Sequence, residues 1–235
     1  MRVMSESIEI ETSDGRMGAH LARPADGDGP FPAVVVVMEA FGLNRHIKGV
    51  AERIAAEGYV ALAPDVYYRE PDRVAEYGDL PKALALMGKL RDADVLADMR
   101  AVLDHLGSRP DVRPGAIGMT GFCMGGRISF LCATALPLKA AVCFYGGGIG
   151  GLLDRAGGIS CPIVLLFGER DGFIPLSEVE AIRERLAELG KQAEVVVYPG
   201  ADHGFFCDER PSYHEEAARD AWRRLKEHFS RHLGR

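Results

Sequence analysis

The chain has 235 residues, of which 47% are hydrophobic and 26% are charged, and its formal net charge is −6. This balance is typical of a globular protein with a substantial core. The negative charge disfavours a nucleic-acid partner, since a phosphate-binding surface needs clustered lysine and arginine, and no apolar run reaches the roughly 18 residues of a membrane helix.

The N-terminus and the cysteines narrow the class of protein further. Residues 1–9 are polar and lack the order of a signal peptide, so a cytoplasmic protein without a membrane partner is expected. The five cysteines form no C-x-x-C pair and are odd in number, which disfavours a disulfide framework or a bound metal. No Pro/Gly/Ser-rich linker interrupts the sequence, and one domain over residues 1–235 is predicted.

Strand and helix patterns alternate through the first half of the chain. Residues 5–10 and 17–21 flank a Ser-Asp-Gly turn and predict an antiparallel hairpin. The β-branched run at residues 33–38 predicts a strand that is buried on both faces. Apolar residues then recur at helical spacing over residues 47–55, and residues 59–63 predict a further strand.

Residues 67–90 form an irregular, then partly helical stretch that we expect to cover a binding site. An apolar stripe over residues 95–106 predicts the next helix. The second half continues with strands over residues 116–120, 139–145, 162–167 and 193–198, and with helices over residues 124–135, 177–189 and 218–233. A capping-box pattern places one helix start at Ser177.

This alternation predicts the α/β class, with a mostly parallel sheet that carries helices on both faces. The strands would be joined by right-handed crossovers. In such sheets ligands bind at the carboxyl ends of the strands. Each candidate site residue named below follows directly after a predicted strand, which makes their convergence at one edge of the sheet the main prediction.

The sequence Gly121-Phe122-Cys123-Met124-Gly125 follows a predicted strand and opens a predicted helix. That is the context of a nucleophile elbow, in which a tight turn holds the central residue in a strained conformation. The flanking glycines are expected to avoid collisions of a Cβ with the helix or the strand. The sulfur of Cys123 would then lie near the positive end of the helix dipole, which favours the thiolate.

The turn at residues 121–125 has two other interpretations, of which one remains open and one is excluded. A glycine-rich connection that simply packs a cysteine remains open, because short G-x-C-x-G matches arise by chance in many proteins. A dinucleotide-binding fingerprint is excluded, since the glycines at positions 121, 125 and 126 do not match the pattern G-x-G-x-x-G.

An elbow predicts the chain order nucleophile, acid and histidine. Asp171 follows the strand at residues 162–167 in an Asp-Gly turn, where its carboxylate can orient a histidine, and Glu169 is a neighbouring competitor. His203 follows the strand at residues 193–198 in a glycine-flanked loop, and it alone of seven histidines has this order and context. An ordinary surface turn at Asp171 is the alternative.

Glu39 ends the buried run at residues 33–38 and therefore needs a partner or water. It could lie near Cys123 and influence the protonation of the thiol, or it could be an exposed acid at a strand end. The backbone N–H groups of Ala40 and Met124 are expected to form an oxyanion hole, as in other nucleophile elbows.

In chain order, five segments resemble the dienelactone hydrolase family of carboxymethylenebutenolidase-like enzymes. They are M-E-A-F-G at 38–42, A-P-D-V-Y at 63–67, G-F-C-M-G-G at 121–126, the turn at Asp171 and G-x-x-H-x-F at 200–205. The resemblance implies an α/β-hydrolase fold and a triad of Cys123, His203 and Asp171, without a cofactor. It also implies that Glu39 contacts the cysteine and takes its proton when substrate binds.

The chain departs from that family at the substrate-binding positions. Members that cleave dienelactone hold the substrate carboxylate with an arginine, a tyrosine four residues later, and an arginine shortly after the histidine. The first two positions fall near Leu80 and Leu84, and no arginine follows His203 before Arg210. Arginines that could substitute are Arg69, Arg73 and Arg127. The pattern therefore disfavours dienelactone itself and fits a more apolar ester or lactone.

The leading hypothesis is a cofactor-independent hydrolase of a small-molecule ester or lactone, acting as a monomer or a small homo-oligomer. Cys123 would attack the carbonyl carbon, and His203, oriented by Asp171, would relay protons. A second hypothesis is a redox protein that oxidises Cys123, with Cys207 approaching through the His203 loop. A third is a ligand-binding member of the fold without activity.

Overall fold

The structure, a computed structural model, describes residues 1–234 and is built around one eight-stranded sheet. The strands are β1 (Val3–Thr12), β2 (Gly15–Pro24), β3 (Phe31–Val37), β4 (Val60–Pro64), β5 (Val112–Phe122), β6 (Ala140–Phe144), β7 (Ile163–Gly168) and β8 (Ala193–Tyr198). The helices are α1 (Arg45–Ala56), α2 (Leu80–Met87), α3 (Asp92–Ser108), α4 (Met124–Ala133), α5 (Leu176–Glu188) and α6 (Glu215–Phe229). Shorter helical segments are a 3₁₀ helix (Ile149–Gly158) and a π helix (Ser230–Gly234).

The strands lie in the order β1-β2-β4-β3-β5-β6-β7-β8. The β1–β2 and β2–β4 pairs are antiparallel, and β3 pairs parallel with both β4 and β5, as do the remaining neighbours up to β8. Helices cover both faces, so the predicted α/β class with a mostly parallel sheet is confirmed. No helix within residues 1–234 is long and apolar enough to cross a membrane.

The core follows the predicted apolar runs closely. Val34, Val35 and Val36 on β3 are fully buried, as expected for a strand that is covered on both faces. The predicted N-cap of α5 was wrong: the capping-box pattern assigns it to Ser177, but the N-cap is Pro175, two residues earlier, without a side-chain hydrogen bond, and the helix begins at Leu176. Because Ser177 already lies inside the first turn, its hydroxyl cannot cap the helix.

The parallel strands bring five residues to one edge of the sheet. Glu39 follows β3, Cys123 follows β5, Tyr145 follows β6, Asp171 follows β7 and His203 follows β8. These strands are consecutive neighbours in the sheet, so residues as far apart in sequence as Glu39 and His203 meet at their carboxyl ends.

Helix α4 approaches three strands at backbone distance through its glycine-rich start. A Cβ on Gly121 would lie 2.0 Å from the Gly125 carbonyl oxygen, and a Cβ on Gly125 would lie 2.3 Å from the Val37 carbonyl oxygen of β3. A Cβ on Gly126 would lie 2.4 Å from the Phe144 carbonyl oxygen of β6. Real Cβ atoms do not approach so closely, and the predicted steric role of the flanking glycines is confirmed.

We expect Gly125→Ala to lower the free energy of unfolding by about 3 kcal/mol, since the new methyl group collides with backbone atoms that cannot rotate away. Gly49→Ala is the matched control, because Gly49 lies inside α1 with nothing within 4 Å of an added Cβ. There we expect a gain of about 0.5–1 kcal/mol. Urea unfolding of both variants measures the difference, and equal stabilities would contradict the packing described.

Candidate active site

Cys123 occupies the strained position of the turn between β5 and α4. Its φ is 55° and its ψ is −118°, a conformation that costs a non-glycine residue about 1–3 kcal/mol. The Cys123 N–H donates to the Phe144 carbonyl at 3.0 Å, and its own carbonyl accepts from the N–H of Gly126 at 2.9 Å. The side chain is partly exposed to a cavity and stands at the N-terminus of α4, where the helix dipole favours a negative charge.

His203 and Asp171 form a buried pair beside Cys123. The His203 Nδ1 lies 2.8 Å from the Asp171 Oδ2, and the carboxylate is fully buried. The other carboxylate oxygen accepts from the backbone N–H groups of Phe173 at 2.8 Å and Ile174 at 3.1 Å. Backbone N–H groups of the loop after β7 thus hold the Asp171 carboxylate in place, and the carboxylate holds the imidazole ring of His203.

The surroundings of His203 favour the protonated imidazole. Burial by itself lowers its pKa, but hydrogen bonding to Asp171 and Cys123 outweighs burial and raises the pKa to about 10. Tyr145 and Phe173 pack against the ring edge-to-face, with centroids 5.2 Å and 5.1 Å away. The ring is therefore held between two aromatic side chains and carries its charge next to the Cys123 sulfur.

Glu169, the competitor of Asp171, serves a different part of the molecule. Its carboxylate is exposed and accepts from the backbone N–H of Gly200 at 2.8 Å. This bond ties the loop after β7 to the loop after β8. Within the turn, Asp171 is the acid that faces His203.

Glu39 is fully buried at the end of β3 and is paired with a cation. Its Oε1 lies 3.3 Å from the Arg210 guanidinium and accepts from the Tyr145 hydroxyl at 3.4 Å. Its Oε2 has no hydrogen-bond partner within residues 1–234. No hydrogen bond joins Glu39 to Cys123 within these residues, although both side chains stand at the ends of neighbouring strands.

Two backbone N–H groups next to Cys123 remain available. Met124 is the first residue of α4, and Ala40 lies in the irregular segment after β3. Neither N–H donates to a protein acceptor within residues 1–234. Free backbone donors, one at the N-terminus of α4 and one in the segment after β3, can hold a negative oxygen that develops during a reaction.

Cys123 and His203 both line a cavity of about 560 Å³. The cavity is bounded mainly by apolar side chains, notably Phe41, Leu80, Leu84, Met87, Leu90 and Phe173. Leu80, Leu84 and Met87 lie on α2 and Leu90 follows it, which confirms that the segment 67–90 covers the site. Leu84 and Phe173 are 46% and 62% exposed, so the cavity opens to solvent and its entrance is bordered by apolar side chains.

The arginines considered from the sequence divide into two groups. Arg69 pairs with Asp98, and Arg73 pairs with Asp65, and neither arginine lines the cavity. Arg127 does line it, together with Arg210.

Both arginines that line the cavity are occupied by carboxylates. Arg127 donates to Asp92 at 2.7 Å, and this hydrogen bond holds the pKa of Asp92 below its usual value. Arg210 faces Glu39. A ligand in the cavity therefore meets two guanidinium groups that each already form an ion pair with a carboxylate of the protein.

Sequence reasoning missed several residues of the site. Arg210 was noted only as the first arginine after His203, and Asp92, Phe173 and Tyr145 were not assigned to the site. Tyr145 has a φ of 35°, which is rare for a non-glycine residue and marks it as unusual. This conformation is seen in the structure, and no sequence pattern predicts it.

Comparison with known proteins agrees with this geometry. The profile of the Dienelactone hydrolase family matches residues 17–233. The chain belongs to the dienelactone hydrolase family. An Escherichia coli (strain K12) protein named "Putative carboxymethylenebutenolidase" is 41% identical over 99% of this chain and 89% of its own length. A Synechocystis protein of the same name is 37% identical over 96% of both chains.

Solved structures of this family have the same fold. The crystal structure of a "Putative Dienelactone Hydrolase" from Klebsiella pneumoniae is 40% identical, with a TM-score of 0.92 over 98% of this chain and 99% of that chain. A dienelactone hydrolase-like promiscuous phosphotriesterase from metagenomic libraries is 26% identical, with a TM-score of 0.86 over 99% of each chain. The sheet is therefore that of an α/β-hydrolase, and the protein is a dienelactone hydrolase-like enzyme that acts on an ester or a lactone.

The pair of His203 and Asp171 makes stability depend on pH. Because the folded-state pKa of His203 is raised above its ordinary value of 6.5 to about 10, the pair stabilises the fold fully below about pH 6.5. That contribution is lost as the pH rises through about 10. We expect Asp171→Asn to lower the free energy of unfolding by about 2 kcal/mol at pH 6 and by much less above pH 10.

Urea unfolding at pH 6, 8 and 10.5 measures this loss of stability. Asp104→Asn, which changes an exposed carboxylate on α3, is the control and should show no such trend. A loss in Asp171→Asn that is the same at all three pH values would contradict the charged pair.

Proposed function

We propose that the enzyme hydrolyses a neutral, largely apolar ester or lactone through a triad of Cys123, His203 and Asp171. The observation that carries this proposal is the meeting of Cys123 with the buried His203–Asp171 pair at the wall of one apolar cavity. The order of the three residues along the chain and their positions after β5, β7 and β8 support the same assignment.

In the first half of the reaction Cys123 is acylated. Glu39 accepts the thiol proton when substrate binds, because its buried Oε2 is an acceptor without a partner within residues 1–234. The thiolate attacks the carbonyl carbon, a C–S bond forms, and the carbonyl electron pair moves to oxygen, where the Ala40 and Met124 N–H groups hold it. The imidazolium of His203 then protonates the leaving oxygen as the C–O bond breaks.

In the second half water removes the acyl group. Neutral His203 takes a proton from water, and the resulting hydroxide attacks the thioester carbonyl. The C–S bond breaks, the carboxylic acid leaves, and the thiolate recovers its proton from Glu39. Asp171 keeps the ring in place throughout, because its two oxygens are held by the loop N–H groups and by the His203 Nδ1.

The substrate class follows from the walls of the cavity. The resemblance to the family puts its carboxylate-binding arginine and tyrosine near Leu80 and Leu84, and both leucines line the cavity. The guanidinium groups of Arg127 and Arg210 are compensated by Asp92 and Glu39. A substrate carboxylate would have to break one of these ion pairs, whereas an apolar group gains from burial of about 0.8 kcal/mol for each methylene.

Replacement of the nucleophile tests the reaction itself. We expect Cys123→Ala to abolish hydrolysis of 4-nitrophenyl esters, because no thiolate remains to attack the carbonyl. Cys161→Ala is the control: this cysteine is buried at the start of β7 and should be dispensable for turnover. Steady-state rates of both variants test whether Cys123 is the nucleophile, and a wild-type rate in Cys123→Ala would contradict the proposal.

The same variants separate the two other hypotheses. A redox protein would consume peroxide at Cys123 without hydrolysing esters, and a binding protein would bind an ester saturably without turnover. Cys207 is poorly suited to resolve an oxidised Cys123, since its thiol donates to the Tyr77 hydroxyl and burial raises its pKa to about 11. A thiol of that pKa remains protonated at neutral pH.

Substrate preference tests the altered carboxylate site. We expect 4-nitrophenyl hexanoate to be cleaved with a higher kcat/KM than mono-4-nitrophenyl adipate, which has a comparable chain and a terminal carboxylate. Leu84→Arg should raise the relative kcat/KM for the adipate about two- to fivefold, as expected for an exposed ion pair of about 0.4–1 kcal/mol.

Leu176→Arg is the matched control, because Leu176 is 49% exposed and does not line the cavity. It should leave the preference unchanged. If wild type already favours the adipate, the neutral substrate class is wrong while the triad stands.

A further inference from the structure

We infer that Tyr67 is a positioning residue that sets the spacing of the two N–H groups of the oxyanion hole. This role rests on the proposed function, since it concerns the oxygen that develops when Cys123 attacks. Tyr67 is 1% exposed and lies just beyond β4, and it is not among the residues that line the active-site cavity. It can therefore act on substrate only through its neighbours.

The Tyr67 hydroxyl contacts both residues whose N–H groups form the proposed oxyanion hole. It donates to the Ala40 carbonyl at 3.1 Å and lies 3.2 Å from the Met124 Sδ. The hydroxyl has one proton, and a carbonyl oxygen is a better acceptor than a thioether, so the proton goes to Ala40 and the sulfur is a close contact. One buried atom thus bridges the residues whose N–H groups are free.

The Ala40 and Met124 N–H groups belong to different parts of the fold, so a contact between these parts is needed to fix their spacing. Met124 is fixed by α4, but Ala40 lies in the irregular segment after β3, where Gly42 has a φ of +92°. No other acceptor bond of the Ala40 carbonyl is made within residues 1–234. The peptide that carries the Ala40 N–H is held within this segment by the bond from the Gly42 N–H to the Glu39 carbonyl at 3.2 Å, so the Tyr67 hydroxyl acts on the next peptide and ties the whole segment to the residue that begins α4. Without the hydroxyl the segment can shift relative to the helix, and oxyanion donors act only within about 2.7–3.1 Å of their oxygen.

Tyr67 is itself held firmly. Its backbone N–H donates to the Asp65 carboxylate at 3.1 Å, and its carbonyl accepts from the Glu70 N–H at 2.7 Å. Burial raises the pKa of the phenol, so the hydroxyl remains protonated and able to donate at every pH at which the enzyme would work. The position is therefore a fixed donor and cannot serve as a proton relay.

The test is Tyr67→Phe, which keeps the ring and removes only the hydroxyl. We expect kcat for 4-nitrophenyl esters to fall about tenfold with KM unchanged within about twofold, since the lost interaction acts in the transition state. Tyr68→Phe is the matched control. Tyr68 is the next residue and is also buried, but its hydroxyl bonds Thr12 and Asp98 away from the cavity.

A second readout isolates the oxyanion. An aryl trifluoromethyl ketone adds reversibly to the Cys123 thiolate, forming a C–S bond and an alkoxide that the two N–H groups would hold. Its inhibition constant should rise about tenfold in Tyr67→Phe and stay constant in Tyr68→Phe. The inhibition constant of the corresponding aryl alkane, which cannot form the adduct, should be unchanged in both variants, and melting temperatures check that each variant is folded.

The outcomes distinguish this inference from the proposed function. Loss of turnover in Cys123→Ala, combined with wild-type kcat and ketone affinity in Tyr67→Phe, would overturn the role of Tyr67 and leave the triad standing. Equal losses in Tyr67→Phe and Tyr68→Phe would also overturn it, because they would show a general loosening of the segment. Full turnover in Cys123→Ala would overturn the proposed function and this inference with it.

Discussion

The close approach of α4 to β3 and β6 is the constraint on which the site depends. Three positions without a Cβ, Gly121, Gly125 and Gly126, let the start of the helix touch the carbonyl oxygens of both strands. The turn that remains is so tight that Cys123 must take a φ of 55°. The same approach places the start of the helix, where the Met124 N–H has no acceptor within residues 1–234, beside Cys123. The strained conformation of Cys123, its position at the positive end of the helix dipole and one free N–H donor are therefore brought together by one backbone contact.

Charge pairing shapes the cavity around this contact. Asp171 faces His203, Glu39 faces Arg210 and Asp92 faces Arg127. Buried charges are tolerated when each has a partner in good geometry, and pairs of opposite sign leave little net charge for a ligand to meet. In the proposed function the apolar walls then decide what binds, because the area removed from water contributes most of the remaining free energy.

Strain is concentrated where the chemistry is expected. Tyr145 follows β6 with a φ of 35°, and Cys123 follows the neighbouring strand β5; these two are the non-glycine residues with positive φ within residues 1–234. The Tyr145 ring packs on His203 while its hydroxyl reaches Glu39. Such conformations persist only where surrounding packing fixes them, and both residues directly follow strands in the interior of the sheet.

The sequence by itself determined the strands, the helices, the elbow and the order of cysteine, acid and histidine. Each of these depends on a few neighbouring residues: a period of apolar positions, a glycine pair, or a loop after a strand. The Asp-Gly step of the sequence already favoured Asp171 over Glu169, two positions earlier, and the tertiary structure brought the Asp171 carboxylate against His203. It also decided that Arg210 meets Glu39 and that Tyr67 reaches Ala40 and Met124. Those contacts join segments that are far apart in the chain, and only the packing of the sheet fixes their distances.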